Sequence, residues 1–189
     1  MKKLRFAGIA VVLVIMAGSM LSLGGCVKKD VVDEESGFTI DPSVSKYHAV
    51  TYDRAISWLN DDFREENITK MATMQDNPDP APYDITLVIK EQSAFDNAFA
   101  EFSVEVDFER EMLVLYFFTD FNYSRPIYVT NVQLSGRLLD ITLTHLMAPL
   151  GPNGKPPKDA SKPTHRCIVV QMDRVDVAVV NIKREFKRE

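Results

Sequence analysis

The chain has 189 residues, 46% of them hydrophobic, a formal net charge of −5 and two cysteines. This length fits one domain together with a targeting or linking segment. The acidic balance argues against a nucleic-acid partner, because nucleic-acid binding needs a basic patch that neutralises phosphates.

The first 25 residues have the layout of a secretory signal. Residues 1–5 are basic, residues 6–23 are apolar apart from glycine and serine, and small residues follow. Residues 23–26, Leu-Gly-Gly-Cys, resemble the lipobox of bacterial lipoproteins. The resemblance implies cleavage before Cys26 and attachment of a diacylglyceryl lipid to its thiol. Cys26 is therefore expected to be a lipidation site that anchors the protein to the membrane.

An uncleaved membrane-spanning helix is the alternative for the same segment, since about 18 apolar residues can cross a bilayer. The position of Cys26 at the end of the apolar run favours the lipoprotein. We expect a lipid-anchored protein on the extracytoplasmic side of the membrane, with the inner and the outer membrane both open. Without residues 1–25 the chain keeps 19 basic and 27 acidic side chains, a formal charge of −8, and one thiol outside the lipid site, Cys167.

Residues 26–46 are expected to form a flexible tether. They are polar and acidic, with Asp-Glu-Glu-Ser-Gly at residues 33–37, and they show no hydrophobic periodicity. A segment of this composition buries too little apolar surface to offset the entropy lost on ordering.

Residues 47–82 are predicted to form a helix followed by a proline-rich linker. Over residues 52–66, three apolar side chains recur at spacings of three and four, which is typical of an amphipathic helix. They are Ile56, Leu59 and Phe63. Trp58 lies beside this stripe and is expected to be a partly buried core residue. Three prolines in residues 77–82 then interrupt the chain.

Residues 83–183 are predicted to form an antiparallel β-rich domain. Six segments have the length and apolar content of strands. They are residues 83–90, 112–118, 127–134, 138–147, 166–172 and 175–182. The second segment is a continuous apolar run, which is typical of a strand buried on both faces.

Short connections between these segments indicate antiparallel pairing. Ser135-Gly136-Arg137 and Asp173-Arg174 are predicted to be turns. Ser93 is predicted to cap a short helix that runs to Phe102. The fold class is therefore α+β, with short helices and one sandwich-like or barrel-like antiparallel β domain.

The best candidate for a metal site is the set His145, His165 and Cys167. If residues 138–147 and 166–172 form a hairpin, the two histidines lie opposite each other, and Cys167 shares the face of His165. Two imidazoles and a thiolate are suitable zinc ligands. The alternative, which we favour, is that all three are ordinary sheet residues, since a free cysteine packs as a small hydrophobe.

The chain contains neither Gly-x-Ser-x-Gly, His-Glu-x-x-His nor Cys-x-x-Cys. These motifs carry the commonest nucleophilic, zinc-dependent and redox chemistries. We therefore expect a protein that is not an enzyme and has no catalytic residues, no bound metal and no cofactor.

Residues 84–180, about half of the chain, resemble the C-terminal domain of PrcB-like proteins in the order of their elements. The outline comprises a strand and helix before Val106-Asp107-Phe108, an apolar strand, a strand ending at Asn131-Val132, a strand ending near Pro149, and a last apolar strand. Residues 123–126, Tyr-Ser-Arg-Pro, stand where the family has Gly-Gly-Tyr. The resemblance implies a non-catalytic partner of an exported protease complex.

Residues 149–163 contain five of the ten prolines, two glycines and three lysines, which predicts an extended loop outside the sheet. It is either a tolerated mobile loop or a docking arm for an acidic partner. For the whole protein we expect a lipid-anchored interaction domain of the cell envelope. The alternative is a lipoprotein that binds a small molecule or an ion between its sheet and the helix of residues 52–66.

Overall fold

The structure, a computed structural model, describes residues 37–75, 84–102, 104–120, 125–147, 149–150 and 164–188, with the side chains of 72–75 left out. The strands are β1 (Phe38–Thr39), β2 (Ala49–Tyr52), β3 (Ile85–Ile89), β4 (Glu111–Asp120), β5 (Ile127–Ser135), β6 (Leu138–Met147), β7 (Thr164–Asp173) and β8 (Val179–Arg188). The helices are a 3₁₀ helix (Ala55–Trp58), α1 (Asp61–Gln75) and α2 (Gln92–Ala98). The predicted α+β class is confirmed: the described elements include both helices and strands, and most of them are strands.

Five strands form an antiparallel sheet in the order β1-β2-β7-β4-β3. Its central strands β4 and β7 are covered on both faces. Met112, Val114, Tyr116 and Phe118 belong to one buried cluster, whereas Leu113, Leu115 and Phe117 belong to another. The prediction of a strand buried on both faces over residues 112–118 is therefore confirmed.

The other three strands form a second sheet in the order β5-β6-β8. The first buried cluster combines side chains of this sheet, such as Leu139, Ile141 and Leu143, with those of β4 and β7. We call it the inter-sheet core. The second cluster combines the opposite face of the five-stranded sheet with the helices, and we call it the helix-side core. The five-stranded sheet is thus the middle layer.

The predicted turn between β5 and β6 is confirmed. Ser135 and Leu138 are Cα partners, and Gly136 has a φ of 60° in the two-residue connection between them. A β-bulge shifts the register between Val129 and Asn131. Glycine suits this turn because it has no Cβ, the atom that crowds the backbone when φ is left-handed.

The prediction of wholly antiparallel pairing is wrong for the last strand. β8 runs parallel to β6, with Leu138 opposite Val179 and Met147 opposite Arg188. Residues 173–174 are therefore not a hairpin turn. Residues 174–178 instead connect one sheet to the other. Two backbone hydrogen bonds hold this connection: the Arg174 amide donates to the Arg110 carbonyl oxygen (2.7 Å), and the Ala178 amide donates to the Arg137 carbonyl oxygen (2.8 Å).

The predicted helix over residues 52–66 is also wrong in its extent. Tyr52 ends β2, the 3₁₀ helix follows, and Leu59 has an extended backbone with φ −77° and ψ 148° before α1 begins. Leu59 pairs with Phe99 as an isolated bridge. Its side chain is buried in the helix-side core, so the apolar spacing identified buried positions rather than a continuous helix.

Trp58 is partly buried, as predicted, and its ring lies 5.9 Å from that of Tyr52 and 5.3 Å from that of Phe102. Ser93 does not cap α2. The N-cap residue is Glu91, without a side-chain capping bond, and α2 ends at Ala98 because Phe99 is extended. The sequence signals placed the N-cap of this helix two residues too late and its end four residues too far along the chain.

The folded part begins before residue 47. β1 pairs with β2, and Ile40 is 3% exposed in the inter-sheet core. Residues 38–39 of the segment expected as a tether therefore belong to the sheet and Ile40 belongs to the core, and the β-rich region is not confined to residues 83–183. Residues 26–36 lie outside the described residues.

Candidate functional site

The structure separates the three residues of the candidate zinc set. β6 and β7 belong to different sheets, so they do not form the hairpin that would bring His145 opposite His165. His145 pairs with Ile127 and Phe186, whereas His165 pairs with Thr119. Cys167 lies in the helix-side core, on the far side of the middle sheet from the inter-sheet core. Within the described residues, no group of three His, Cys, Asp or Glu side chains is arranged to hold a metal.

Cys167 is a core residue. Its side chain has no exposed surface and packs with Val169 and Phe117 in the helix-side core. Burial raises the pKa of its thiol well above the usual value. Since the thiolate is the nucleophile and the metal ligand, this environment suppresses both kinds of reactivity.

Arg166 forms a buried ion-pair cluster that the sequence analysis missed. The residue is 1% exposed, and its guanidinium lies 2.9 Å from the Asp120 carboxylate and 3.3 Å from the Asp53 carboxylate. It also donates to the Asp53 carbonyl oxygen (3.0 Å). The sequence signal that could have revealed the cluster is Arg166 itself, which stands directly before the apolar run 167–170. An arginine beside such a run is buried only where other groups pair with its charge. The cluster fixes the ends of β4 and β7 against the turn after β2.

His145 lies next to this cluster and closes one end of the inter-sheet core. Its ring lies 5.8 Å from the Phe118 ring and 4.9 Å from the Phe186 ring, and its Nε2 is buried without a hydrogen-bond partner. Burial is the main reason that its pKa falls to about 4, with Asp120 raising the pKa and Arg184 and Arg166 lowering it. The imidazole is therefore neutral at physiological pH and behaves as part of the aromatic packing.

Beside His145, the surface of the protein is formed by β8. Phe186 is 63% exposed although one side of its ring contacts His145. The guanidinium of Arg184 is exposed and lies 5.6 Å from the Phe118 ring centroid. An aromatic ring and a guanidinium side by side on an exposed strand are residue types that interfaces favour.

β8 is also an edge strand. It lies at the end of its sheet, paired with β6 on one side, and none of the other described strands pairs with its outer side. Its ten residues contain four basic side chains and one acidic side chain, Glu185. The basic residues are Lys183, Arg184, Lys187 and Arg188. We call residues 179–188 the β8 edge.

The β8 edge adjoins the edge of the other sheet. A small cavity of about 150 Å³ is lined from one side by Thr86 and Val88 of β3 and from the other by Val177, Ala178 and Val180. β3 is the terminal strand of the five-stranded sheet. Val88 and Val179 are exposed by 37% and 57%. Thr86 and Val88 of β3 thus lie close to the start of β8 across this cavity.

A larger cavity, of about 640 Å³, lies at the start of α1. Its lining includes four acidic residues: Asp61, Asp62, Glu66 and Glu101. The two aspartates occupy the first turn of α1, where carboxylates stabilise the positive end of a helix dipole. Asn60 joins α1 to α2 by donating to the carbonyl oxygens of Asp96 (3.2 Å) and Asn97 (2.9 Å).

No family model matches this chain, and neither the curated proteins nor the solved structures give a match. Cys26, the expected lipidation residue, and residues 151–163 of the proline-rich segment lie outside the described residues. Among the residues that the structure does describe, neither α-helix has the length and apolar composition needed to cross a bilayer.

Proposed function

We propose that this protein is a lipid-anchored lipoprotein of the cell envelope whose sandwich-like α+β domain binds another exported polypeptide and is not an enzyme. The observation that carries the binding role is the β8 edge, which none of the other described strands covers and which exposes Phe186. Unpaired strand edges offer backbone donors and acceptors to a second chain.

The lipid anchor rests on the sequence Leu-Gly-Gly-Cys at residues 23–26. A diacylglyceryl group on Cys26 would supply two acyl chains, which is the number that stable anchoring needs. The formal charge of −8 without residues 1–25 gives the domain no general attraction to anionic lipids, so the anchor and the interaction surface have separate roles.

The resemblance of residues 84–180 to PrcB-like C-terminal domains supports one class of partner, an exported protease complex. That resemblance concerns the order of elements. The protein would act there as a non-catalytic subunit that is held at the membrane by Cys26.

Two measurements test this proposal. Metabolic labelling with a fatty acid is expected to label the wild-type protein and to leave Cys26→Ala unlabelled as a larger precursor, with Cys167→Ala as the matched control that keeps the label. In vivo cross-linking of the intact lipoprotein is expected to recover one exported protein in a stoichiometric amount. Label in Cys26→Ala, or recovery of no exported protein, would contradict the proposal.

The second candidate is a lipoprotein that binds a small molecule or a cation. The cavity at the start of α1 favours it, because this cavity has the size of a ligand site and four carboxylates in its lining. Calorimetric titration with Ca²⁺ tests the candidate. Binding that is abolished by Asp62→Asn and Glu101→Gln together, and kept by Asp176→Asn on another surface, would favour the second candidate over the first.

A further inference from the structure

We propose that the β8 edge takes up an extended acidic segment of another polypeptide as an added strand. This inference rests on the proposed function, and it specifies the surface, the binding mode and the chemical class of the partner. Three properties of β8 carry it: a backbone edge that no other described strand pairs with, the local charge and the exposed aromatic side chain.

The backbone edge is long enough for sequence-independent pairing. β8 has ten residues, all of them in register with β6, and therefore extends over roughly 33 Å. Alternate backbone amides and carbonyls of a terminal strand point away from its sheet, where a new strand can pair with them. Most β8 side chains are exposed, so access to this edge needs no rearrangement of the core.

Charge complementarity identifies the occupant. Four basic residues and one acidic residue on β8 give a local formal charge of +3 on a chain whose total is −5. A strand with aspartate or glutamate at alternate positions would place opposite charges across the new pairing. The same basic residues disfavour pairing with a second copy of β8, because like charges would then face each other. The strand is therefore selective for acidic segments and protected against self-association.

Phe186 supplies the apolar anchor. Its ring is held in place on one side by His145, with centroids 4.9 Å apart, while 63% of the residue is exposed. Arg184 lies on the same face of β8 and near Phe118, so a hydrophobic side chain of the partner would contact both an aromatic ring and the stem of an arginine.

The distribution of charges on β8 favours an added strand, rather than an anionic membrane surface, as the binding partner of this edge. Side chains of a strand alternate between two faces, so Arg184, Phe186 and Arg188 share one face and Lys183 and Lys187 the other. On the second face Lys183 lies 3.3 Å from Asp140, which also accepts a hydrogen bond from Asn181 (2.6 Å). An anionic bilayer is a plane and would engage only one of these faces, whereas an added strand lies beside both.

The probe for the test is a fluorescent ten-residue peptide in which Glu alternates with Val and Thr, compared with the same peptide carrying Lys for Glu. Binding is measured by anisotropy with the full lipidated chain in non-ionic detergent. The acidic peptide is expected to bind at least about tenfold more tightly than the basic peptide, and the preference is expected to weaken as salt is raised. Amide hydrogen exchange is expected to slow in residues 179–188.

Two double variants are compared. The β8 variant carries Lys187→Glu and Arg188→Glu, and the control carries Lys46→Glu and Arg110→Glu on other surfaces. Both change the net charge by the same amount. All four side chains are exposed, so unchanged thermal unfolding is expected for both double variants. The β8 variant is expected to lose at least about tenfold in affinity, and the control to stay within about twofold. Phe186→Ser is expected to weaken binding as well.

Four outcomes would overturn the inference: no binding of either peptide, equal affinity for both, full affinity in the β8 variant, or protection of amides outside β8. Binding to phosphatidylglycerol vesicles that Lys187→Glu with Arg188→Glu abolishes, without binding of the acidic peptide, would assign the strand to lipid instead. If the inference fails while cross-linking still recovers an exported partner and Cys26 is still labelled, the proposed function stands and another surface carries it.

Discussion

Arg166 and Asp53 are 113 positions apart in the chain, yet the Arg166 guanidinium lies 3.3 Å from the Asp53 carboxylate inside the protein. Their side chains are 1% and 14% exposed. A second carboxylate, that of Asp120, lies 2.9 Å from the same guanidinium. The two contacts join the turn after β2 to the end of β4 and the start of β7, which are distant in the chain.

Removing the guanidinium is expected to be far more destabilising than removing an exposed one. Arg166→Met keeps most of the side-chain volume but leaves Asp53 and Asp120 without their buried partner, so the free energy of unfolding should fall by about 3–5 kcal/mol. Arg137→Met is the control. It removes an exposed pair with Asp176 and is expected to cost less than about 1 kcal/mol. Urea denaturation measures both, and equal losses would contradict the role of burial.

The pH dependence of stability is expected to contain a contribution from His145. Burial lowers the pKa of this residue to about 4 in the folded protein, whereas the unfolded value is about 6.5. The unfolded chain therefore binds a proton first as the pH falls, and stability is lost between about pH 6.5 and pH 4. The loss should be on the order of 1–3 kcal/mol. His145→Leu should lack it, so a wild-type minus variant difference that is constant over this range would refute the assignment.

Cys167 is expected to be inert towards thiol reagents in the native protein. Its side chain has no exposed surface, and burial raises the pKa of the thiol. Ellman's reagent should therefore react only after denaturation, whereas Lys70→Cys, which adds a thiol on the exposed face of α1, should react at once. Cys167→Ala should lower the free energy of unfolding by about 1–2 kcal/mol. Rapid native labelling at position 167 would show that the helix-side core opens.

The parts of the fold that could be predicted were those encoded by neighbouring residues. The apolar run 112–118 indicated a strand buried on both faces, and Ser135-Gly136-Arg137 indicated the β5–β6 turn, because burial and turn geometry depend on local residue types. The parallel pairing of β8 with β6 was not predictable in this way. It joins residues 41 positions apart, and Asp173-Arg174 has the composition of a turn whether or not a hairpin follows.

The candidate site shows the same division. The burial of Cys167 followed from its apolar neighbours, whereas the cluster around Arg166 depends on Asp53 and Asp120 reaching one position from distant elements. The candidate metal set, against which we favoured ordinary sheet residues, shows a related dependence. His145 and His165 lie opposite each other only under a hairpin that the sheet order excludes. Chemistry that is read from spacing depends on the assumed pairing of strands.

Gly136 offers a test of backbone conformation without a packing change. Its φ is 60°, and a Cβ added there would meet no atom within 4 Å. Gly136→Ala is therefore expected to lower the free energy of unfolding by about 1–2 kcal/mol through the left-handed backbone alone. Gly136→Asn should cost less, because asparagine tolerates this region, and Gly136→Val should cost more. Thermal denaturation of the series should follow that order, and an equal cost for Asn and Val would contradict a backbone origin.

The start of the folded domain can be located by two deletions of equal length, made in protein produced without residues 1–25. Deletion of residues 37–46 removes β1, the Ile40 amide bond to the Ala49 carbonyl (2.8 Å) and the buried Ile40 side chain. Ile40→Ala alone is expected to lower the free energy of unfolding by about 2–4 kcal/mol, and the deletion by at least that amount. Deletion of residues 27–36, the acidic part of the expected tether, should change the value by less than about 0.5 kcal/mol. Urea denaturation of the three proteins separates the two segments, and a large loss from the second deletion would place the boundary of the domain before residue 37.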